Sequence, residues 1–549
     1  MDRKWFTLSN TIVGTFLTTV NISMIMAALP SLITAFGLSP ASHYTAVYAI
    51  WLITGYTLIM ATLTVMLGRL SDIYGRIKMY RIGFAIFVIA SFLLATSSSL
   101  IELVIFRFVL AIGGALLMVN VPAILTDAFK LKERGKAIGI NQFSTIAGTA
   151  LGLLIGGYLA SINWSLIFIV NIPIGIAGLA WSYITMEEEG RRMRRGLDLI
   201  GTVLLTLAML LILTGISSGV SPYGHSYEGW ANPSVIGYIA LGIALLAAFA
   251  FVEGRVKDPI LDLHLFKIRD FSIGNFSQFC ASLARQGLLI SLILLFQGIW
   301  LPLHGYGYSS SEFLAAVYIL PFLIAFVAFG PMSGYLSDIY GPRLFTMIGL
   351  VIAAVGFLMF LIMPYNFNYI WFSPELLIIG VGLGLFSSPN TADTMSSVPS
   401  DKRGTASGTR STVTNAAMAL STAIYFAMII HWMAPALHGS IVSALKSQGV
   451  SQSIYSNITI KPQEALFASL IDYKPINATI AQLPDATKAG LSTATIANIT
   501  NSTFFPKAVG PAFMSGFKNA AIITAAMLFI AALLSALRKG YSRKRAKGI

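Results

Sequence analysis

Gly68-Arg-Leu-Ser-Asp-Ile-Tyr-Gly75 returns later in the chain as Gly334-Tyr-Leu-Ser-Asp-Ile-Tyr-Gly341, with seven of eight positions identical. Each copy closes one apolar run and opens the next. A polar turn repeated at equivalent points of two hydrophobic blocks implies two homologous helical bundles, a common plan among membrane transporters. A coincidental turn motif would not be expected to match so closely or to fall at the same place twice.

Outward from the two copies, apolar runs are predicted to be helical at 8–33, 43–67, 80–98, 101–126, 137–160, 165–186, 197–218, 235–254, 271–300, 312–336, 344–364, 375–396, 405–432 and 513–537. Nearly all approach or exceed the roughly 20 residues a helix needs to cross a bilayer. The composition agrees: 56% of the 549 residues are hydrophobic and 11% are charged, against about 25% charged in a soluble domain. A soluble multidomain enzyme is excluded, because its surface would lack charge. Disorder is excluded by 12% aromatic residues in long apolar runs. Cys280 is the only cysteine, so no internal disulfide and no cysteine-based metal site is expected.

Fourteen spans put both ends of the chain on one side. With that side inside, the inner segments hold 28 of the 36 Lys and Arg residues, including Arg69, Arg76, Lys130, Lys132, Arg191 to Arg195, Arg410 and Arg538. The short outer loops hold none, and the long segment before the last span, together with the start of that span, holds six. This asymmetry would collapse with one span miscounted. It also accounts for the net charge of +14 without nucleic acid. The first apolar run is longer than the core of a signal peptide and is read as a retained span.

Residues 434–511 are rich in Ser, Thr and Asn and are expected outside. They carry four Asn-x-Thr sequences, at Asn457, Asn477, Asn498 and Asn501. These are either glycosylation acceptors or chance in a loop of this composition. Stretches such as Pro462 to Ile471 are expected as short amphipathic helices lying on the membrane.

Gly68-x-Leu-x-Asp72-x-x-Gly75-Arg76 resembles the signature that the major facilitator superfamily carries between its second and third helices. The closest resemblance is to the drug:proton antiporters with fourteen spans. Arg107, Gly113 and Gly114 match the fourth-helix motif, with Leu110 and Ala111 in place of its usual Gln and Gly. Gly139, Gly148, Gly152, Gly156 and Gly157 match the spacing of the antiporter motif, with Leu153 in place of its usual Pro. Asn163-Trp164, Phe168, Asn171, Pro173 and Gly175 resemble the start of the sixth helix, and Trp51 and Tyr56 match a second-helix pair.

The resemblance implies an all-α membrane protein of two six-helix bundles. These would be residues 1–190 and 271–433 with the last helix in 512–549; a helix pair in 191–270 would be inserted between them. It further implies a midplane substrate site exposed to each side in turn, and protons as the coupling ion. Asp72 would latch the two halves, with Asp338 and the glycines Gly68, Gly75, Gly334 and Gly341 as the gating set. A plasma-membrane location and a monomer are expected, with no cofactor.

Physical chemistry adds detail. A carboxylate at the rim, such as Asp72, can accept hydrogen bonds from a neighbouring helix N-terminus, and Arg76 can pair with Asp127. The fifth-helix glycines provide either close helix packing or a hinge. Arg107 and Arg285 lie inside apolar helices, where a charge marks a functional site by default. Arg107 is placed to reach towards Glu102 or the headgroups, and Arg285 either lines the cavity or serves a structural partner.

The first-helix motif that ends Ala-Leu-Pro usually begins with Asp in this subgroup; here Asn21 stands there, and no Asp, Glu or His lies near the middle of any span. With Asn21, Gln142, Gln297 and Trp51 completing the candidate substrate set, neutral or anionic amphipathic substrates fit better than strong cations. An organic-anion porter is the alternative. A lipid-modifying membrane enzyme would need a rim cluster of acids, histidines or metal ligands that the sequence does not show.

Overall fold

A computed structural model describes residues 3–39, 42–129, 133–188, 198–224, 226–256, 259, 261–399, 402–455, 458, 460–470, 475–476 and 493–538. Fourteen of its helices are long and apolar enough to cross a membrane. In chain order they are α1 (Arg3–Ala27), α2 (His43–Tyr74), α3 (Arg76–Ala95), α4 (Leu100–Ala128), α5 (Arg134–Ile162), α6 (Leu166–Thr185) and α7 (Leu199–Gly219). They continue with α8 (Pro233–Glu253), α9 (Arg269–Leu303), α10 (Tyr308–Tyr340), α11 (Pro342–Met359), α12 (Tyr369–Ser396), α13 (Arg403–Ser447) and α14 (Phe504–Ala536).

Local chemistry sets many of the boundaries. Ser42, Ser99, Asp198, Asn232 and Asn368 each cap a helix by accepting a hydrogen bond from a first-turn backbone N–H. Between α2 and α3, and again between α10 and α11, a single glycine reverses the chain. Gly75 has φ 110° and Gly341 has φ 92°, a region that side-chain-bearing residues rarely adopt. The last glycine of each repeat copy is therefore the turn itself.

The duplication extends into packing. The first bundle pairs α1 with α5 and α6, α2 with α4, and α3 with α4 and α6. The second pairs α9 with α13 and α14, α10 with α12, and α11 with α12 and α14. A Cβ on Gly83 would meet the Gly113 carbonyl oxygen at 3.1 Å, and one on Gly349 would meet that of Gly382 at 2.6 Å. Gly83 and Gly349 stand equally far beyond the two repeat copies. In both bundles a glycine pair lets the two backbones touch. The halves meet through α2 with α13 and α5 with α10, and the inserted α7–α8 pair lies against α2 and α13.

The segment before the last span departs from expectation. The helix predicted to end at 432 runs on to Ser447, and the last begins at Phe504 rather than 513. Pro462–Ala468 is helical, and most of its residues are buried against the protein. Phe467 stacks on Phe426, and the Gln463 amide donates to the carbonyl oxygens of Val220 and Tyr227. Its apolar face is satisfied by the protein, which a sequence periodicity cannot distinguish from lipid. The sequons at Asn457 and Asn477 lie outside the described residues; Asn498 and Asn501 are exposed.

Candidate functional site

Arg107, Asn21 and Tyr56 cluster inside the first half, and Gln297 of the second half reaches the end of α1. Arg107 lies about 10 Å along α4 from its first residue, at 1.5 Å per residue, and is fully buried. Its Nη1 donates to Asn21 Oδ1 at 3.3 Å, and its guanidinium carbon lies 5.3 Å from the centre of the Tyr56 ring. Among the described residues Nε and Nη2 have no hydrogen-bond partner. Arg107 thus does not reach towards Glu102, as the sequence suggested. Glu102 bonds Ser98 at the helix end, while the guanidinium turns inward to the α1 amide. Gly114 explains its own place in the motif: a Cβ there would lie 2.1 Å from the Tyr56 hydroxyl. Trp51 packs its ring edge-on to Phe108, one residue from Arg107.

The second half contributes Gln286, Gln297 and Arg285. Gln286 Nε2 reaches Met26 Sδ at 3.4 Å, and Gln297 Nε2 donates to the Ala27 carbonyl at 3.1 Å, so α9 is bonded to the end of α1. Among the described residues Arg285 finds soft partners, Met418 Sδ at 3.7 Å and the Phe326 ring at 5.5 Å. A guanidinium held by sulfur and an aromatic face keeps most of its donors for another group. The side chains of Gln142 and Asp338, and the surroundings of Gly139, are not among those described.

The antiporter-motif glycines divide between two partners. Cβ atoms on Gly148, Gly152 and Gly156 would collide with Thr19, Val20 and Met24 of α1. One on Gly157 would lie 2.5 Å from the Glu312 carbonyl oxygen of α10. Three glycines therefore seat α1 within the first half, and the fourth brings α5 against the second.

At the face carrying the repeat turns, Arg76 bonds Asp72 at 2.9 Å and Asp127 at 2.8 Å. Asp72 is therefore engaged within its own half here, by its i+4 arginine, and does not receive the helix N-terminus. Glu188 does so. Its carboxylate accepts the backbone N–H groups of Arg76, Ile77 and Lys78 at 2.9–3.2 Å, where α3 begins and its dipole is positive. Next to it, Glu187 bonds Arg3 at 2.6 Å, and that guanidinium holds its carboxyl below the ordinary carboxylate range. Glu188 went unnoticed among the acids preceding the Arg191–Arg195 run. The signal was an acidic group near a helix start in space, far from it in sequence.

A second polar cluster was also missed. Arg538, counted above as a tail charge, is fully buried. It bonds Asn390 Oδ1 at 2.8 Å, Thr394 Oγ1 at 3.0 Å and Asp393 at 2.9 Å. Gly274 leaves room for it, since a Cβ there would lie 2.9 Å from its Nη2. Arg410, counted as a loop charge, donates to Gln278 Oε1 at 2.6 Å. These two cations contribute to the fold of the second half. The available signal was Asn390, Asp393 and Thr394 on one side of an apolar helix.

The sequence profile of the Major Facilitator Superfamily matches residues 11–422. The chain is 28% identical over 431 residues to a riboflavin transporter, RibZ, of Clostridioides difficile, covering 77% of this chain and 88% of that one. It is 28% identical to the multidrug transporter MdtP of Bacillus subtilis, covering 70% and 68%, and 26% identical to the multidrug resistance protein Stp of Mycobacterium tuberculosis, covering 86% and 82%. Among solved structures, a bacterial homologue of the human lysosomal transporter Spinster superposes with a TM-score of 0.59 at 16% identity, covering 99% of both chains. With its profile match, its duplicated bundles and its fourteen spans, this chain belongs to the major facilitator superfamily and is a multi-pass membrane transporter.

Proposed function

We propose that this protein exports amphipathic small molecules, neutral or anionic, across the plasma membrane by alternating access, in exchange for protons. The observation that carries the charge preference is Arg107: fully buried, bonded to the neutral Asn21 amide, and with two donor nitrogens uncommitted. A guanidinium in that state attracts carboxylates, phenolates and carbonyl oxygens and repels organic cations. Export is supported by the relatives named for multidrug transport and resistance. The relative named for riboflavin supports a second reading, transport of a metabolite.

In this proposal residues 1–190 and 271–433, with the helix in 512–549, are the moving halves. Residues 191–270 form an inserted pair, and 434–511 cover the outer side. The charge asymmetry supports cytoplasmic ends, and the protein acts as a monomer. The test is uptake of matched anionic, neutral and cationic amphipaths into inverted proteoliposomes, with and without an imposed pH gradient. Transport restricted to cations, or indifferent to the gradient, would overturn the charge preference or the coupling respectively.

A further inference from the structure

Glu312, near the start of α10, is 3% exposed and lies where the two halves meet on the face opposite the repeat turns. One carboxyl oxygen, Oε1, accepts both the Ser31 backbone N–H at 3.0 Å and the Ser31 hydroxyl at 2.6 Å. Ser31 belongs to the short helix Leu29–Ala35 that follows α1, so these bonds join the second half to the first. The other oxygen, Oε2, is buried and has no partner among the described residues. The carbonyl oxygen of the same residue is the one that would meet a Cβ on Gly157 at 2.5 Å. Side chain and backbone of one residue thus hold both α1 and α5.

No ion pair reaches Glu312 among the described residues. The ionisable groups at this end of the elements around α10 are engaged elsewhere or unpaired. Tyr158 of α5 packs on Phe313, His304 after α9 bonds the Trp300 carbonyl, and Tyr369 of α12 donates to the Tyr318 carbonyl. Glu375 of α12 is buried with both oxygens unpartnered. Among the described residues no cation offsets the removal of a Glu312 carboxylate from water, whereas a neutral carboxyl is far less costly to bury and places its proton on Oε2.

We propose that Glu312 is the proton-binding group that permits closure of this face: protonated, it docks on Ser31 and Gly157; ionised, it holds the halves apart in water. Proton binding from that side would then close the outer face; only the place this gives Glu312 in coupling rests on the reading under Proposed function.

The test is the distance between spin labels at Ser161→Cys and Ser310→Cys in a Cys280→Ser background, reconstituted in liposomes without substrate. Lowering the pH from about 8 to about 5, a window wide enough for a carboxyl that moves between water and a protein interior, should convert a long-distance population into a short one. Glu312→Gln, which keeps the acceptor for Ser31, should give the short distance at every pH. Glu312→Met, a second non-titrating variant should Gln fold poorly, should also lose the response. A pH response retained in a folded variant, or absent from the wild-type side chain, would overturn the inference. Proton-gradient-driven transport, measured separately in the same liposomes, tests the exporter reading: its absence alongside normal pH-gated closure would overturn that reading and leave this one standing.

Discussion

Arg107 shows how one side chain can set a charge preference. Burying a guanidinium costs at least about 2.5–3.5 kcal/mol even on lenient membrane scales, and here one amide hydrogen bond and the Tyr56 ring offset part of it. Arg107→Ala is expected to reduce transport of anionic substrates at least about tenfold, the equivalent of 1.4 kcal/mol. Arg107→Lys should restore only part of it, because the planar fork is lost; radiolabelled uptake measures both. Asn21→Asp would bring a carboxylate to where the amide oxygen now sits, 3.3 Å from Arg107 Nη1. The resulting pair cancels the fixed charge. Relative uptake of anionic and cationic amphipaths should shift towards cations, and an unchanged ratio would show that Arg107 does not face the pathway.

At the scale of the helix, small residues decide what can approach. The Gly83–Gly113 and Gly349–Gly382 contacts leave no space for a side chain. Gly113→Val should lower stability by about 1–3 kcal/mol or more, the usual range for overpacking, read as a drop in melting temperature in detergent. Asp72 and Arg76 close a small ion-pair network at the first turn, with Asp127 as third member. Its side chains are partly exposed, so each contact is worth only about a kcal/mol or less, a scale suited to a contact that forms and breaks during a cycle. Asp72→Asn should therefore lower turnover more than substrate affinity, and Asp338→Asn should be milder, because Pro342 replaces the arginine that follows the first copy. Equal losses in binding, with turnover per bound substrate unchanged, would remove Asp72 from the gate. Glu188→Gln tests the capping role: three N–H bonds persist in part while the charge at the helix dipole is lost, with an expected cost of about 0.3–1 kcal/mol.

Over the whole molecule, the second half is tied together by a charge that looks terminal in sequence. Arg538 bonds three groups of α12 from the end of α14. Arg538→Ala removes the guanidinium from a buried carboxylate and should destabilise the protein by about 3–5 kcal/mol, which thermal unfolding would register. Replacing Asp393 together with Arg538 by apolar residues should recover much of that loss. Topology offers a further check: a cysteine near Asn477 should react with an impermeant reagent from outside, and a reporter after Lys547 should be cytoplasmic. The opposite result would invert the placement of both repeat turns.

The sequence alone determined the number of spans and the duplication, because each rests on a local or periodic property: apolar length and an eight-residue repeat. It also singled out Arg107, since an isolated charge in an apolar run is conspicuous without knowledge of its neighbours. It could not assign partners. Asn21 faces Arg107, Glu188 caps α3, Arg538 is buried against α12, and Glu312 holds Ser31 across the halves. Each of these pairings joins residues far apart in the chain. Only tertiary packing decided them, because hydrogen bonds and ion pairs depend on distances of about 3 Å, and span order leaves the rotation and depth of each helix open.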